Sequence, residues 1–154
     1  MRIHLASDHA GFEMKNLLRD SLEHLGYEVI DHGPYEYDPE DDYPDFIKRA
    51  AEEISANPDE RAVIFGGSGQ GEAMVANRYE NVRATVYYCY DPEIIRLSRA
   101  HNNANVLSIG ARFVTPEEML ESVLFWLEIP FEGGRHERRI EKIERDFYIP
   151  GELF

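Results

Sequence analysis

The segment Gly66–Glu72 places four glycines within six residues and ends on a carboxylate, directly after an apolar run. The backbone N–H groups of such a loop can converge on an anion, helped by the positive end of a following helix. The dinucleotide fingerprint G-x-G-x-x-G fails because Glu72 stands where its third glycine belongs, and the P-loop fails because Lys-Ser/Thr is missing. A carboxylate would also repel a nucleotide phosphate. We therefore interpret Glu72 as a base beside donors that stabilise an enolate.

Further polar residues follow other predicted strands. Asp8 and His9 come after the first strand, where Asp8 is suited equally to capping a helix and to catalysis. Arg112 follows the fifth strand. His101, with Asn102 behind it, ends the fourth helix, where a histidine often only complements the helix dipole.

The last predicted helix carries the main local concentration of positive charge in a chain of net charge −14. Arg135 and Arg139 are four residues apart and so share one face of this helix. Two guanidinium groups on one face can clamp a phosphate, and Arg112 would complete the pocket. The simpler explanation of such a charge run is a solvated helix face. The apolar stripe Ile140, Ile143 and Phe147 is expected to dock the helix.

The elements that position these residues are predicted by alternating β-branched runs and helical patterns, which indicate parallel βαβ units. We expect one α/β domain over 1–154, a doubly wound sandwich with a five-stranded parallel sheet, and assign no role to the tail 148–154. Ligands of such sheets bind at the carboxyl ends of the strands. The predicted strands are Arg2–Ala6, Tyr27–Asp31, Arg61–Phe65, Val82–Cys89 and Asn105–Ile109. The predicted helices follow each strand in turn, with a last one over Arg135–Phe147.

Composition excludes several classes of function. The acidic charge argues against nucleic-acid and anionic-membrane binding, and no apolar stretch approaches the length of a membrane span. Cys89 is the only cysteine, which excludes an intrachain disulfide and favours a reducing cytoplasm. Its place in the fourth strand predicts a buried thiol without a catalytic role. The six histidines have no paired-ligand spacing, so no metal site is expected.

Six motifs, taken in order, resemble ribose-5-phosphate isomerase B and its relatives, which include the galactose-6-phosphate isomerase subunits. The resemblance runs from Met1 to about Asp146, nearly the whole chain. The motifs are S-D-H-A-G-F, D-Y-P, G-G-S-G-x-G-E, A-N-R, S-R-x-H-N-N-A-N and G-G-R-H-x-x-R. The resemblance implies an aldose–ketose isomerase of sugar phosphates that needs no metal or organic cofactor. It also implies a homodimer, or a tetramer of dimers, with the site shared between subunits.

The resemblance also implies a role for each matching residue. Glu72 would move the proton between C2 and C1, and His101 would assist opening of the sugar ring. The glycine loop, through Gly67, Gly69 and Gly71 together with Ser68, would hold the enediolate oxygens. The remaining residues would contact the substrate: Asp8 and Asn102 at the sugar hydroxyls, Tyr43 as a further binding residue, and His9, Arg112, Arg135, His136 and Arg139 at the phosphate. Many family members carry a catalytic cysteine where this sequence has Gly66, and Glu72 matches the subgroup in which a glutamate replaces it.

Two alternatives stay open. The first keeps the reaction but acts on a hexose 6-phosphate or a tetrose 4-phosphate, because the motifs concern only phosphate and C1–C2. The acidic loop Tyr35–Asp42 is a candidate for setting sugar length. The second is a nucleotide- or phosphate-binding module without catalysis, since Asp91, about 20 residues beyond the glycine loop, resembles a ribose-binding acid.

Overall fold

Five parallel strands form one sheet in the order β2-β1-β3-β5-β4 in the computed structural model, which describes residues 1–89 and 91–147. This confirms the predicted doubly wound architecture. The strands are β1 (Arg2–Ser7), β2 (Glu28–Asp31), β3 (Arg61–Gly66), β4 (Ala84–Tyr87) and β5 (Val106–Gly110). The helices are α1 (Phe12–His24), α2 (Tyr43–Ala56), α3 (Gln70–Ala76), α4 (Pro92–Ala100), α5 (Pro116–Glu128) and α6 (Arg135–Phe147).

The two faces of the sheet carry separate apolar cores because strand residues point alternately to either side. Helices α1, α4 and α5 cover one face, and Leu18, Ile95 and Trp126 pack there against the strands. Helix α2 covers the other face through Ile47 and Ile54, with α3 beside it. No helix in the described ranges is long and apolar enough to cross a membrane.

The prediction for Cys89 was wrong. Strand β4 is an edge strand whose pairing with β5 ends at Tyr87, two residues before the cysteine. Beyond that pairing the chain leaves the sheet, so Cys89 is exposed instead of buried.

The path of the chain gives the sheet two chemically distinct edges. At the carboxyl edge, the chain leaves β1 toward β2 on one side of the sheet and leaves β3 toward β4 and β5 on the other side. This divergence opens a crevice between the loops that follow β1 and β3. Helix α4 must return the chain to the amino edge, because β4 and β5 are parallel. A hydrogen bond from Glu132 N–H to the Ala100 carbonyl (3.0 Å) places the segment after α5 beside the end of α4. Hydrogen bonds from Asn105 N–H to the Arg83 carbonyl (3.1 Å) and from Arg83 to Glu144 of α6 (3.0 Å) place α6 at this amino edge.

Candidate active site

Glu72 lies in the first turn of α3, and its carboxylate sits directly over Gly66, the last residue of β3. A β-carbon built on Gly66 would overlap both carboxylate oxygens. Any other residue at position 66 would therefore displace the carboxylate. The Glu72 carboxylate thus occupies the space that a side chain at position 66 would fill.

The surroundings of Glu72 favour its protonated form. Only 4% of the residue is exposed, and this burial raises the pKa of its carboxyl group. A hydrogen bond from its own backbone N–H opposes that effect, while the negative charge of Asp8 adds to it. A carboxylate with a raised pKa is a stronger base than an exposed one, as proton abstraction from carbon requires.

The glycine loop is held against β5. Gly69 has a φ of 79°, a left-handed conformation that favours glycine, and it starts α3. The buried hydroxyl of Ser108 donates to the Gly69 carbonyl at 2.5 Å, and Ser68 Oγ accepts from Gln70 N–H at 3.3 Å. These bonds fix the loop, and the N–H groups at the start of α3 have no partner within the helix.

Two predicted substrate-binding side chains, those of Arg112 and Tyr43, lie against this loop. A β-carbon on Gly67 would lie 3.0 Å from Nη1 of Arg112, and one on Gly71 would lie 2.6 Å from the hydroxyl of Tyr43. Each glycine thus leaves the space that one of these polar groups occupies. The structure places a guanidinium and a phenol against the glycine loop that ends at Glu72.

Asp8 and His9 line the β1 side of the crevice. Asp8 caps the short 3-10 turn that follows by accepting from the N–H groups of Ala10 and Gly11, so the capping explanation is correct. Asp8 is also the charge that acts on Glu72. His9 contacts Asp41, a residue of the acidic loop, through Nδ1 at 2.6 Å.

A second group of predicted residues lies around His101 at the end of α4. Its imidazole stacks on that of His136, with ring centroids 4.1 Å apart and planes at 14°. Glu132 Oε2 lies 3.6 Å from Nε2 of His101 and 3.7 Å from Nε2 of His136. Burial lowers the pKa of His136, and the neighbouring His101, Arg135 and Arg139 lower it further, against an opposing effect of Glu132.

The two arginines of α6 therefore belong to this second group, together with Asn102, which follows His101. The predicted apolar stripe of α6 does not dock fully on its own chain. Ile140 is half-buried, but Ile143 and Phe147 are 45% and 78% exposed.

The two groups lie at opposite edges of the sheet. Glu72 is at the carboxyl edge, whereas His101 and His136 follow helices that return to the amino edge. A strand of six residues spans about 20 Å. No hydrogen bond or ion pair joins the two groups among residues 1–89 and 91–147. The carboxyl edge, where ligands of such sheets are expected to bind, therefore does not hold His101, Asn102, Arg135, His136 or Arg139.

Two clusters gather side chains of the types that bind metals, namely His101, Glu132 and His136, and Asp8, His9 and Asp41. In the first, the imidazoles are nearly parallel, so the lone pairs in their ring planes do not converge on one point. In the second, Asp8 Oδ1 and His9 Nδ1 already bond to the protein. Neither arrangement fits a preformed tetrahedral site.

Sequence reasoning missed two residues that touch predicted site residues. Asp41 was considered only as part of the acidic loop Tyr35–Asp42, and Glu132 was not singled out. An acidic side chain close in sequence to a site motif is a weak signal, because solvated carboxylates are common.

The chain is similar to several known proteins over nearly its whole length. The model of the Ribose/Galactose Isomerase family matches residues 3–143. A probable ribose-5-phosphate isomerase B of Mycoplasma pneumoniae is 43% identical over 92% of this chain and 91% of its own. The ribose-5-phosphate isomerase B of Mycoplasma genitalium, solved with bound ribulose 5-phosphate, superposes with a TM-score of 0.90 at 39% identity, covering 95% of each chain. A ribose 5-phosphate isomerase of Thermotoga maritima gives a TM-score of 0.86 at 42% identity over 93% of this chain and 97% of that one. The chain belongs to the ribose/galactose isomerase family.

Proposed function

We propose that this protein is an aldose–ketose isomerase that interconverts ribose 5-phosphate and ribulose 5-phosphate. The observation that carries the proposal is the buried carboxylate of Glu72, held over Gly66 beside the glycine loop. The family membership and the relatives named ribose-5-phosphate isomerase B support the choice of substrate.

In the proposed reaction, Glu72 takes the proton from C2 of the open-chain aldose and returns it to C1. Backbone N–H groups of the loop, with Ser68, stabilise the negative charge that develops on the enediolate oxygens. His101 assists ring opening, Asp8 and Asn102 contact the sugar hydroxyls, and the arginines with His9 and His136 hold the phosphate. Holding the phosphate far from C1 and C2 orients the reacting carbons.

A panel of sugar phosphates tests this function. Purified protein is incubated with ribose 5-phosphate, a hexose 6-phosphate and a tetrose 4-phosphate, and ketose formation is followed for each. We expect the largest kcat/KM for ribose 5-phosphate. A preference for another sugar would reassign the substrate but keep the chemistry. Inactivity on all three, together with tight binding of NAD or ATP, would favour a non-catalytic module.

We further propose that a complete site needs two copies of the chain. Glu72 and His101 lie at opposite edges of one sheet, so a single copy cannot bring both to one sugar. Exposed apolar side chains occur beside both groups: Met74, Tyr88 and Phe113 near the glycine loop, and Ile143 and Phe147 on α6. A second copy that covers these surfaces would place its His101 group over the first copy's Glu72.

Mixing two inactive variants tests the shared site. Glu72→Gln and His101→Ala are co-expressed, and the mixed dimers are purified by two different tags. Each mixed dimer would hold one doubly damaged site and one intact site, so about half of wild-type activity per dimer should return. If mixed dimers stay as inactive as their parents, one chain supplies both residues.

A further inference from the structure

His9 makes three contacts with the acidic loop, two of them with the buried carboxylate of Asp41. Oδ1 of Asp41 lies 2.6 Å from the ring nitrogen Nδ1 of His9 and accepts the His9 backbone N–H at 3.0 Å. Only 6% of the Asp41 side chain is exposed, whereas the His9 side chain is 28% exposed. Tyr37 packs edge-on against the His9 ring, with centroids 6.4 Å apart. The acidic loop therefore fixes both the backbone and the ring of His9.

This arrangement determines which nitrogen faces the ligand. Because Nδ1 is bonded to Asp41, the nitrogen available for another partner is Nε2. The ring lies in the same crevice as Arg112, whose charge acts on it. We propose that Asp41 is a positioning residue for the phosphate end of the site, which holds His9 so that Nε2 donates to a phosphate oxygen. The inference rests on the proposed function, because it concerns the same substrate site.

The carboxylate also governs the charge of the ring. The hydrogen bond to Asp41 is the largest cause that raises the pKa of His9, and the negative charges of Asp8 and Asp41 act in the same direction. Partial burial and the positive charge of Arg112 oppose them. The other titratable group against the ring is Tyr37. A sugar phosphate is mostly dianionic above pH 6. A raised pKa of His9 therefore extends its cationic form toward the pH range in which phosphate carries its full charge.

The position of Asp41 is costly for a purely structural residue. Its second oxygen, Oδ2, is buried and makes no hydrogen bond to the described residues. An unsatisfied buried oxygen typically destabilises a fold. An asparagine could accept the same two bonds through one oxygen without a charge. The negative charge of Asp41 thus serves the imidazolium beside it.

Two substitutions at position 41 separate geometry from charge. Asp41→Asn keeps an acceptor for Nδ1–H but removes the charge, so the ring stays in place and loses its proton at lower pH. We expect KM for ribose 5-phosphate to rise about tenfold at pH 8, the loss of one charge-assisted hydrogen bond, and to approach the wild-type value at pH 6. Asp41→Ala removes the acceptor as well, so its KM should be raised at both pH values. In both variants kcat should change little.

The matched control is Glu40→Gln, which removes one charge from an exposed position of the same loop. Its KM should follow the wild type. The pH titration of the His9 ring, measured by NMR and assigned with His9→Gln, should move to lower pH in Asp41→Asn but not in Glu40→Gln. Binding of inorganic phosphate, measured by calorimetry, should weaken in parallel. These two measurements need no turnover, so they remain decisive even if the protein does not isomerise ribose 5-phosphate.

A double variant checks that Asp41 acts through His9. In the background of His9→Gln, adding Asp41→Asn should change KM and phosphate affinity no further. The proposal is overturned if Asp41→Asn leaves the His9 titration where it was, if its KM tracks that of Glu40→Gln at pH 8, or if it weakens phosphate binding equally with and without His9.

Discussion

Gly66 and Glu72 are sterically coupled: a β-carbon at position 66 and the carboxylate of residue 72 would fill the same space. The site therefore admits a side chain from one of the two positions but not from both. This relationship accounts for a glycine at position 66 in a chain that carries Glu72.

Enlarging Gly66 tests that coupling. Gly66→Cys should displace the carboxylate and lower kcat on the order of 10²–10⁴, the usual effect of losing a general base. In Gly66→Cys/Glu72→Ala the clash is removed and a thiol enters the vacated space, so its kcat should exceed that of Glu72→Ala alone. Equal rates for these two variants would show that a thiol at position 66 cannot replace the carboxylate of Glu72.

Replacing Glu72 itself tests the assignment of the base. Glu72→Gln keeps the size of the side chain but removes its basicity, so kcat should fall on the order of 10²–10⁴ with little change in KM. Wild-type protein in D₂O should incorporate deuterium at C1 or C2 of the product. Cys89→Ala is the control and should keep its rate, because the exposed thiol lies beyond β4. A dead Cys89→Ala beside an active Glu72→Gln would assign the base to the cysteine.

The pH profile should report the raised pKa of Glu72. A general base must be unprotonated, so kcat/KM falls as the pH drops through the pKa of its carboxyl group. Burial raises that pKa above its ordinary value of 4.5, which places the acid limb at higher pH than for an exposed glutamate. Asp8→Asn removes a charge that contributes to the shift, so its acid limb should move to lower pH. An unmoved limb would exclude Asp8 as a contributor.

The phosphate anchor is tested on α6. Arg139→Ala should raise KM about tenfold or more, because it removes a charge-assisted contact remote from the reacting carbons. Arg138→Ala removes the same charge one residue away and should have a smaller effect. Inorganic phosphate should inhibit the wild type competitively and Arg139→Ala much less. Equal inhibition of both variants would place the anchor elsewhere.

Chelation tests the expectation that no metal takes part. Dialysis against EDTA should leave the isomerisation rate unchanged. The rings of His101 and His136 are stacked, and His9 Nδ1 and Asp8 Oδ1 are already hydrogen-bonded, so neither histidine cluster is arranged to bind a metal ion. Loss of activity that a divalent cation restores would contradict this prediction.

The fold could be predicted from the sequence because each strand and helix has a recognisable pattern within its own segment. At the start of α5, for example, Thr115 and Glu118 form a capping box in which both reciprocal hydrogen bonds are present, and all of its residues lie within four positions of the sequence. Cys89 was misplaced because an apolar run does not show where its pairing partner ends. The spacing of apolar residues within an element can be seen in its own segment. The residue at which a strand ends depends on where its pairing with the adjacent strand stops.

The site was predictable only in part for the same reason. Glycine spacing pointed to Glu72, but nothing local revealed that Gly66 makes room for it. Asp41 lies 32 residues from His9 in the sequence. Glu132 lies in the turn between α5 and α6 and contacts His101 at the end of α4. Such contacts between distant segments depend on the tertiary fold, and single carboxylates in acidic stretches give no sign of them.

The opposite placement of the Glu72 and His101 groups has a consequence for inhibition. If two copies must meet to build each site, the contact between them is as vulnerable as the sugar pocket. A compound that binds to the exposed apolar side chains beside the glycine loop would keep the two copies apart and inactivate both sites. Such an inhibitor would need neither a phosphate nor a sugar, so it would avoid the charge that keeps phosphate mimics from crossing membranes.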